Sequence, residues 1–446
     1  MNTPICDFVN KYAESTCARL HMPGHKGKVF LGCEHLDITE IAGADVLYSA
    51  KGIIKESMDN AASLFGSAKT LYSTEGSSLS IRAMLYLTAL YAKEKGKKPV
   101  VLAGRNAHKA FLSGAALNDI EVSWLYPEET EGLLSCKITP EKLRVYLEDI
   151  QEKPVALYVT SPDYLGNISD ITGLSKICKE FGLLLLVDNA HGAYLNFLPK
   201  NQHPIALGAD ICCDSAHKTL PVLTGGGYLH ISKYAPAVFK TQAEFAMSLF
   251  ASTSPSYLIM QSLDMANKYL EERYRDILLA FIKKVENLKQ ALVEAGYTLF
   301  GNEALKITIS AKKYGYSGTE LAKILEEKGI CLEFSDNDFL VLMLSAENSD
   351  SDLERIKSVL LSVKKQDEVK LPCPKVNVLK KALSIKEALF CLNTEVDVKE
   401  AEGKILASYA ICCPPAVPIA VCGEIIDKSA VDAFKYYGIE KIRIID

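Results

Sequence analysis

Residues 210–232 read DICCDSAHKTLPVLTGGGYLHIS. Two apolar runs, 210–217 and 226–232, flank a polar turn that sets His217 beside Lys218 and then places three glycines, Gly225 to Gly227. A lysine at the end of a buried strand needs a reason, because an ammonium is costly to bury unless it is neutralised, paired or made covalent. The surrounding pattern shows what kind of strand it follows. Upstream come LLLLVD (183–188), VALYVT (155–160) and PVVLAG (99–104), each a short unbroken apolar run. Helical periodicity fills the gaps, around Ile81–Lys95, Pro140–Gln151 and Leu174–Phe181. Apolar strands alternating with helices are what a parallel sheet covered on both faces requires, so this part of the chain predicts an α/β fold.

In such sheets ligands collect beyond the carboxyl ends of the strands. Four strand ends carry polar residues here: Asn106 and His108, Ser161 to Asn167, Asp188 and His191, and Ser215 to Lys218. Farther on, a long helical stretch (about 255–295) precedes a smaller α/β unit around LKITIS and DFLVLMLS, and KKQDEVKLPCPK (364–375) reads as a linker. The expected division is an N-terminal segment 1–60, a major domain 61–270, a small α/β domain 271–371 and a C-terminal domain 372–446.

Composition narrows the partners. The 446 residues are 48% hydrophobic with a net charge of −5, both signs being spread along the chain. That offers no basic stripe for nucleic acid. No apolar run is long enough to span a bilayer, and the N-terminus lacks the charged start and apolar core of a signal peptide, so a cytoplasmic location is expected. Thirteen cysteines form an odd set without a Cys-x-x-Cys pair, and several, such as Cys212, Cys213, Cys412 and Cys413, sit in apolar runs, which reads as buried free thiols. His21 and His25 in HMPGHKG stand four apart, but Pro23 and Gly24 break the helix that would aim both at a metal, and none is expected.

A lysine after one strand and an aspartate closing another suit pyridoxal 5'-phosphate, which needs an amine for a Schiff base and a carboxylate against its ring nitrogen. Lys218 and Asp188 would fill those roles. In STEGSSLSIRAML (73–85), Gly76, Ser77 and Ser78 open a helix whose free N–H groups and dipole favour a phosphate, although an ordinary helix cap accounts for Gly-Ser-Ser equally well. Ser215 and His217 could bond the same phosphate, and His108 could stack on the ring.

These residues fall within a longer ordered set: HMPGHKG (21–27), DITEIAGADVLYSAKGIIKESMDNAASLFGS (37–67), RNAHK (105–109), VTSPDYLGNISDI (159–171), VDNAHGA (187–193), SAHKTLPVLTGGG (215–227), STSPSYLIMQSLD (252–264) and PPAVPIAVCGE (414–424). Over nearly its full length the chain resembles the pyridoxal-phosphate-dependent ornithine/lysine/arginine decarboxylases of fold type I. The resemblance implies Lys218 as the Schiff-base lysine, Asp188 as the pyridinium partner and His108 as the stacking residue. Ser77, Ser78, His191, Ser215 and His217 would contact the cofactor, and Ser252 and Thr253 would reach a neighbouring subunit's site, which makes a homodimer or higher homo-oligomer the working unit. Glu424 would pair with the distal cation of a basic amino acid, arginine being slightly favoured. The chain departs from the family's Asp-Glu-Ala-His at Asn189 and from its Pro-Gly-Glu at Cys422, and it reads as a short form without an N-terminal receiver-like domain. Another fold type I reaction, an aminotransferase or acyl-CoA condensing synthase, and a catalytically inert cofactor-binding relative are the competing readings.

Overall fold

The computed structural model describes residues 1–127, 134–412 and 417–445. Cys413, the side chain of Cys412 and the start of the PPAVPIAVCGE stretch lie outside the described residues. Two compact units share the chain. The first holds Met1–Pro99, Val155–Leu157 and Ile171–Leu278, and the second holds Val100–Pro154, Tyr158–Asp170 and Leu279–Asp446.

A seven-stranded sheet is built from β1 (Lys69–Ser73), β2 (Val100–Gly104), β3 (Glu121–Leu125), β4 (Ala156–Thr160), β5 (Leu184–Asp188), β6 (Ile211–Asp214) and β7 (Gly227–Ile231), in the order β1-β7-β6-β5-β4-β2-β3. β2 runs parallel to β3 and β5 to β6, whereas β7 is antiparallel to both β6 and β1. Every residue of β5 is buried, which is why LLLVD is apolar until its last position. The expected α/β architecture with a mostly parallel central sheet is present.

The first unit holds α1 (Pro4–Ala13), α2 (Ile53–Phe65) and α3 (Gly76–Glu94), and the second holds α4 (Lys109–Leu117). Helix α3 buries Leu79, Ile81, Met84, Leu85 and Leu87, so packing holds its N-terminus in place. Helix α1 is fastened from afar: Asp264 Oδ2 accepts the backbone N–H groups of Ile5 and Cys6, each at 3.0 Å. Two helix-terminal donors are thereby satisfied by one side chain.

The second unit carries a small antiparallel sheet of β8 (Leu299–Phe300), β9 (Lys306–Ser310), β10 (Phe334–Ser335) and β11 (Phe339–Met343), in the order β10-β11-β9-β8. Near the C-terminus β12 (Asn393–Asp397) pairs with β15 (Lys441–Ile445), and β13 (Ala410–Cys412) with β14 (Val417–Ala420), around a cluster that includes Leu406, Ile426 and Phe434. Among the described residues no helix is long and apolar enough to cross a membrane.

Candidate cofactor site

The site in the first unit is assembled from three chain segments. β5 delivers Asp188 at its last position, 2% exposed, with Oδ1 accepting the Ala190 N–H at 3.2 Å and the Cys213 thiol at 3.7 Å. β6 runs into a single helical turn, Ala216–Thr219, that carries His217 and Lys218. Both side chains of that pair are half-buried. Lys218 Nζ lies 2.9 Å from His191 Nε2, and His191 comes from the turn after β5. The lysine and the Asp188–His191 turn, 27 residues apart in sequence, thus meet at the ends of two parallel neighbours.

The third segment is the N-terminus of α3. Gly76 opens it at a φ of +67°, a left-handed backbone that suits glycine. Ser215 Oγ donates to Ser77 Oγ at 2.9 Å, which links this helix end to the lysine turn. His217 Nδ1 lies 2.9 Å from the Gly226 carbonyl, and burial pulls its imidazole below the usual value, with Lys218 adding to the effect against that carbonyl. Gly227 lets the segments close up, because a Cβ there would sit 2.8 Å from the Asp214 carbonyl oxygen and 3.3 Å from the Gly76 carbonyl carbon.

This donor set fits pyridoxal phosphate. A 19-residue helix presents its N-terminus with Ser77 and Ser78, the Gly76 N–H already donating to the Gly225 carbonyl at 2.7 Å; Ser215 adds a hydroxyl beside them, and a buried carboxylate and a half-buried amine stand at or just beyond the ends of adjoining strands.

Other expected site residues have local partners. His108 caps α4, its Nδ1 accepting the Ala110 N–H at 3.1 Å. Thr253 is exposed on the loop before the helix Tyr257–Tyr269, and its neighbour Ser252 donates its N–H to Glu75 at 2.7 Å. His21 bonds Tyr12 at 2.5 Å and His25 lies 3.2 Å from Asp37, each with a partner of its own.

Glu424 has a different partner from the one expected. It is 5% exposed, and its Oε2 accepts from Arg105 Nη2 at 2.9 Å and from the Val421 N–H at 2.7 Å. Burial pushes its carboxyl above the usual range, and Arg105 opposes that shift. The guanidinium lies over Trp124, 5.3 Å from the ring centre, so its charge is spent within the chain. A substrate cation would have to displace it. Arg105→Ala should lower unfolding free energy by about 3–5 kcal/mol in denaturant titrations, because it strands a buried carboxylate; a loss under ~1 kcal/mol would show the pair to be solvated.

Nothing local in the sequence points from Arg105 to a partner 319 residues away. Nor does sequence spacing connect Asp214 with Asn189, His203 and His230, which form a buried cluster beside the lysine turn.

Comparison with known proteins identifies the family. A family model described as "Orn/Lys/Arg decarboxylase, major domain" matches residues 3–310. A Bacillus subtilis protein described as uncharacterised is 31% identical over 97% of this chain and 93% of its own length. An arginine decarboxylase of the same organism is 28% identical over 96% of this chain and 92% of its own. Lysine decarboxylase A from Pseudomonas aeruginosa superimposes with a TM-score of 0.81 at 16% identity, covering 99% of this chain and 80% of that one. A serine palmitoyltransferase from Sphingomonas wittichii shares the fold at a TM-score of 0.56 and 16% identity, over 81% of this chain and 83% of the other. The match over 3–310 and the full-length likeness place the chain in the Orn/Lys/Arg decarboxylase family, which uses pyridoxal phosphate on a fold type I scaffold.

Proposed function

We propose that the chain removes the α-carboxylate of a basic L-amino acid as carbon dioxide, with arginine the preferred substrate, and leaves the corresponding amine. The observation that carries this reading is the contact of Lys218 Nζ with His191 Nε2 at 2.9 Å, next to Asp188 and to the α3 N-terminus. Arginine ranks first because the named curated relatives at 27–28% identity are arginine decarboxylases.

Bound pyridoxal phosphate supplies an electron sink for the pair released when the Cα–carboxylate bond breaks. The chain does the rest. Lys218 would be the covalent tether for the cofactor, its amine being the group that a substrate amine would replace. His191, in contact with Nζ, holds or receives the proton that this exchange moves. Asp188, buried at the end of β5, would be the carboxylate that favours a proton on the cofactor's ring nitrogen. Ser77, Ser78, Ser215 and His217 would hold the phosphate and so fix the orientation that selects which bond breaks. His108 would be the residue that stacks on the ring. Thr253, exposed in the single chain, serves a second copy's site in a homodimer. For Glu424 we propose closure of the C-terminal segment through Arg105 in place of contact with the substrate.

The test is a panel of arginine, lysine and ornithine assayed for released carbon dioxide and for the amine product. Arginine should give the highest kcat/KM. Transfer of the amino group to a keto acid, with no gas released, would overturn the reading in favour of an aminotransferase.

A further inference from the structure

Asp214 is the last residue of β6, immediately before Ser215, and is wholly buried. Its Oδ1 accepts from Asn189 Nδ2 at 2.7 Å, while Oδ2 lies 3.0 Å from His203 Nε2 and 3.3 Å from His230 Nε2. Asn189, His203 and His230 are also fully buried. His203 Nδ1 has no hydrogen-bond partner among the described residues, so Nε2 is the ring nitrogen that donates to the carboxylate, while His230 Nε2 lies beside the same oxygen without a hydrogen bond to it. His230 Nδ1 pairs with Thr70 Oγ1 at 2.8 Å, and that hydroxyl meets Ser67 Oγ at 2.8 Å. Burial raises the Asp214 carboxyl, but the two facing imidazoles outweigh it and hold the group well below the usual range.

The cluster joins strand ends. Asn189 directly follows Asp188, and its backbone N–H donates to the Cys213 carbonyl at 2.9 Å. Asp188 stands opposite Cys213 in the β5–β6 register, so alternation directs Asn189 and Asp214 to the other face. His230 belongs to β7 and Thr70 to β1. Asn189 has little freedom, since a Cβ on Gly192 would lie 2.0 Å from its Oδ1. A side chain with a hydrogen to donate suits position 189, because a carboxylate there would face that of Asp214. The departure from the family's Asp-Glu-Ala-His thus has a physical counterpart 25 residues downstream.

We propose that Asp214, Asn189, His203 and His230 form a positioning clamp behind the cofactor site, holding the strand ends that carry Asp188 and Lys218 in working register. None of the four is a catalytic residue; they act through Asp188 and Lys218. The proposal rests on the assignment of those two residues.

The decisive comparison uses Asn189→Asp and the exchanged pair Asn189→Asp/Asp214→Asn, which swaps acceptor and donor across the 2.7 Å contact. Each protein is confirmed folded by circular dichroism and titrated with pyridoxal phosphate. Asn189→Asp should bind at least tenfold more weakly and lose kcat with KM for the amino acid within twofold; the exchanged pair should recover cofactor affinity to within threefold of the parent. If Asn189→Asp fails to fold, the exchanged pair alone decides. A folded Asn189→Asp protein within twofold of the parent overturns the clamp. So does an exchanged pair that folds but binds tenfold more weakly. Because three ligand-type atoms lie within 4.8 Å of one another, stoichiometric transition metal in the purified parent would also overturn it, by making the cluster a metal site. Borohydride reduction of the parent with peptide mapping separates the two readings: an adduct on a lysine other than Lys218 defeats the site assignment, whatever the variants do.

Discussion

Lys218→Ala is expected to lower carbon dioxide release by ~10⁵-fold or more, on the order of 7 kcal/mol of lost transition-state stabilisation. Its Nζ is the amine that meets His191 at 2.9 Å beside the Asp188 turn, and alanine leaves nothing to tether the cofactor or to be displaced by substrate. The chain should still fold, because the lysine side chain is only half-buried and its helical turn is anchored by the Ser215 and Leu220 backbone bonds. Release assays together with absorbance of the bound cofactor check this. Turnover at the parent rate would place the tether on another lysine.

Asp188→Ala should cost about 10⁴-fold in kcat, or ~5 kcal/mol, while cofactor attachment at Lys218 persists. The carboxylate is 2% exposed at the end of β5, where its proximity favours a proton on a facing ring nitrogen. Without it a facing ring nitrogen would lose that proton, and the sink it would supply for the departing electron pair would weaken. Single-turnover kinetics separate this from a binding defect: the rate of gas release should fall while the amount of bound cofactor stays near the parent's. An unchanged rate would mean that the ring nitrogen faces a different group.

The strands whose reading came most readily are those buried on both faces. β5 and β6 are apolar at nearly every position because neither face meets water; the limits of β5 agree within a residue, while the run 210–217 overshoots β6 by three residues into the lysine turn. β1 passed unnoticed because KTLYS mixes polar and apolar residues and finds its partner, β7, only 158 residues later. The lysine turn and the phosphate-binding helix end were visible as residue types in a suggestive order. Lys218, Asp188, His191, Ser77 and Ser215 do come together in one unit. What stayed hidden was pairing across space. Glu424 read as a carboxylate available to a substrate because its guanidinium partner lies 319 residues away, and Asn189 read as a lost charge because its carboxylate partner closes a different strand.

β1 lies at the rim of the seven-stranded sheet, and β7 is its one neighbour there. As the protein leaves the ribosome, Leu71 and Tyr72, which are to become fully sheltered, emerge long before residues 227–231 exist to cover that flank. During that interval the nascent chain carries an unmatched strand of the kind that invites pairing with other chains, and closing so distant a contact is slow. Synthesis of this protein therefore has a vulnerable window lasting for more than a third of its length, and holding chaperones should engage the growing chain before residue 231 has emerged.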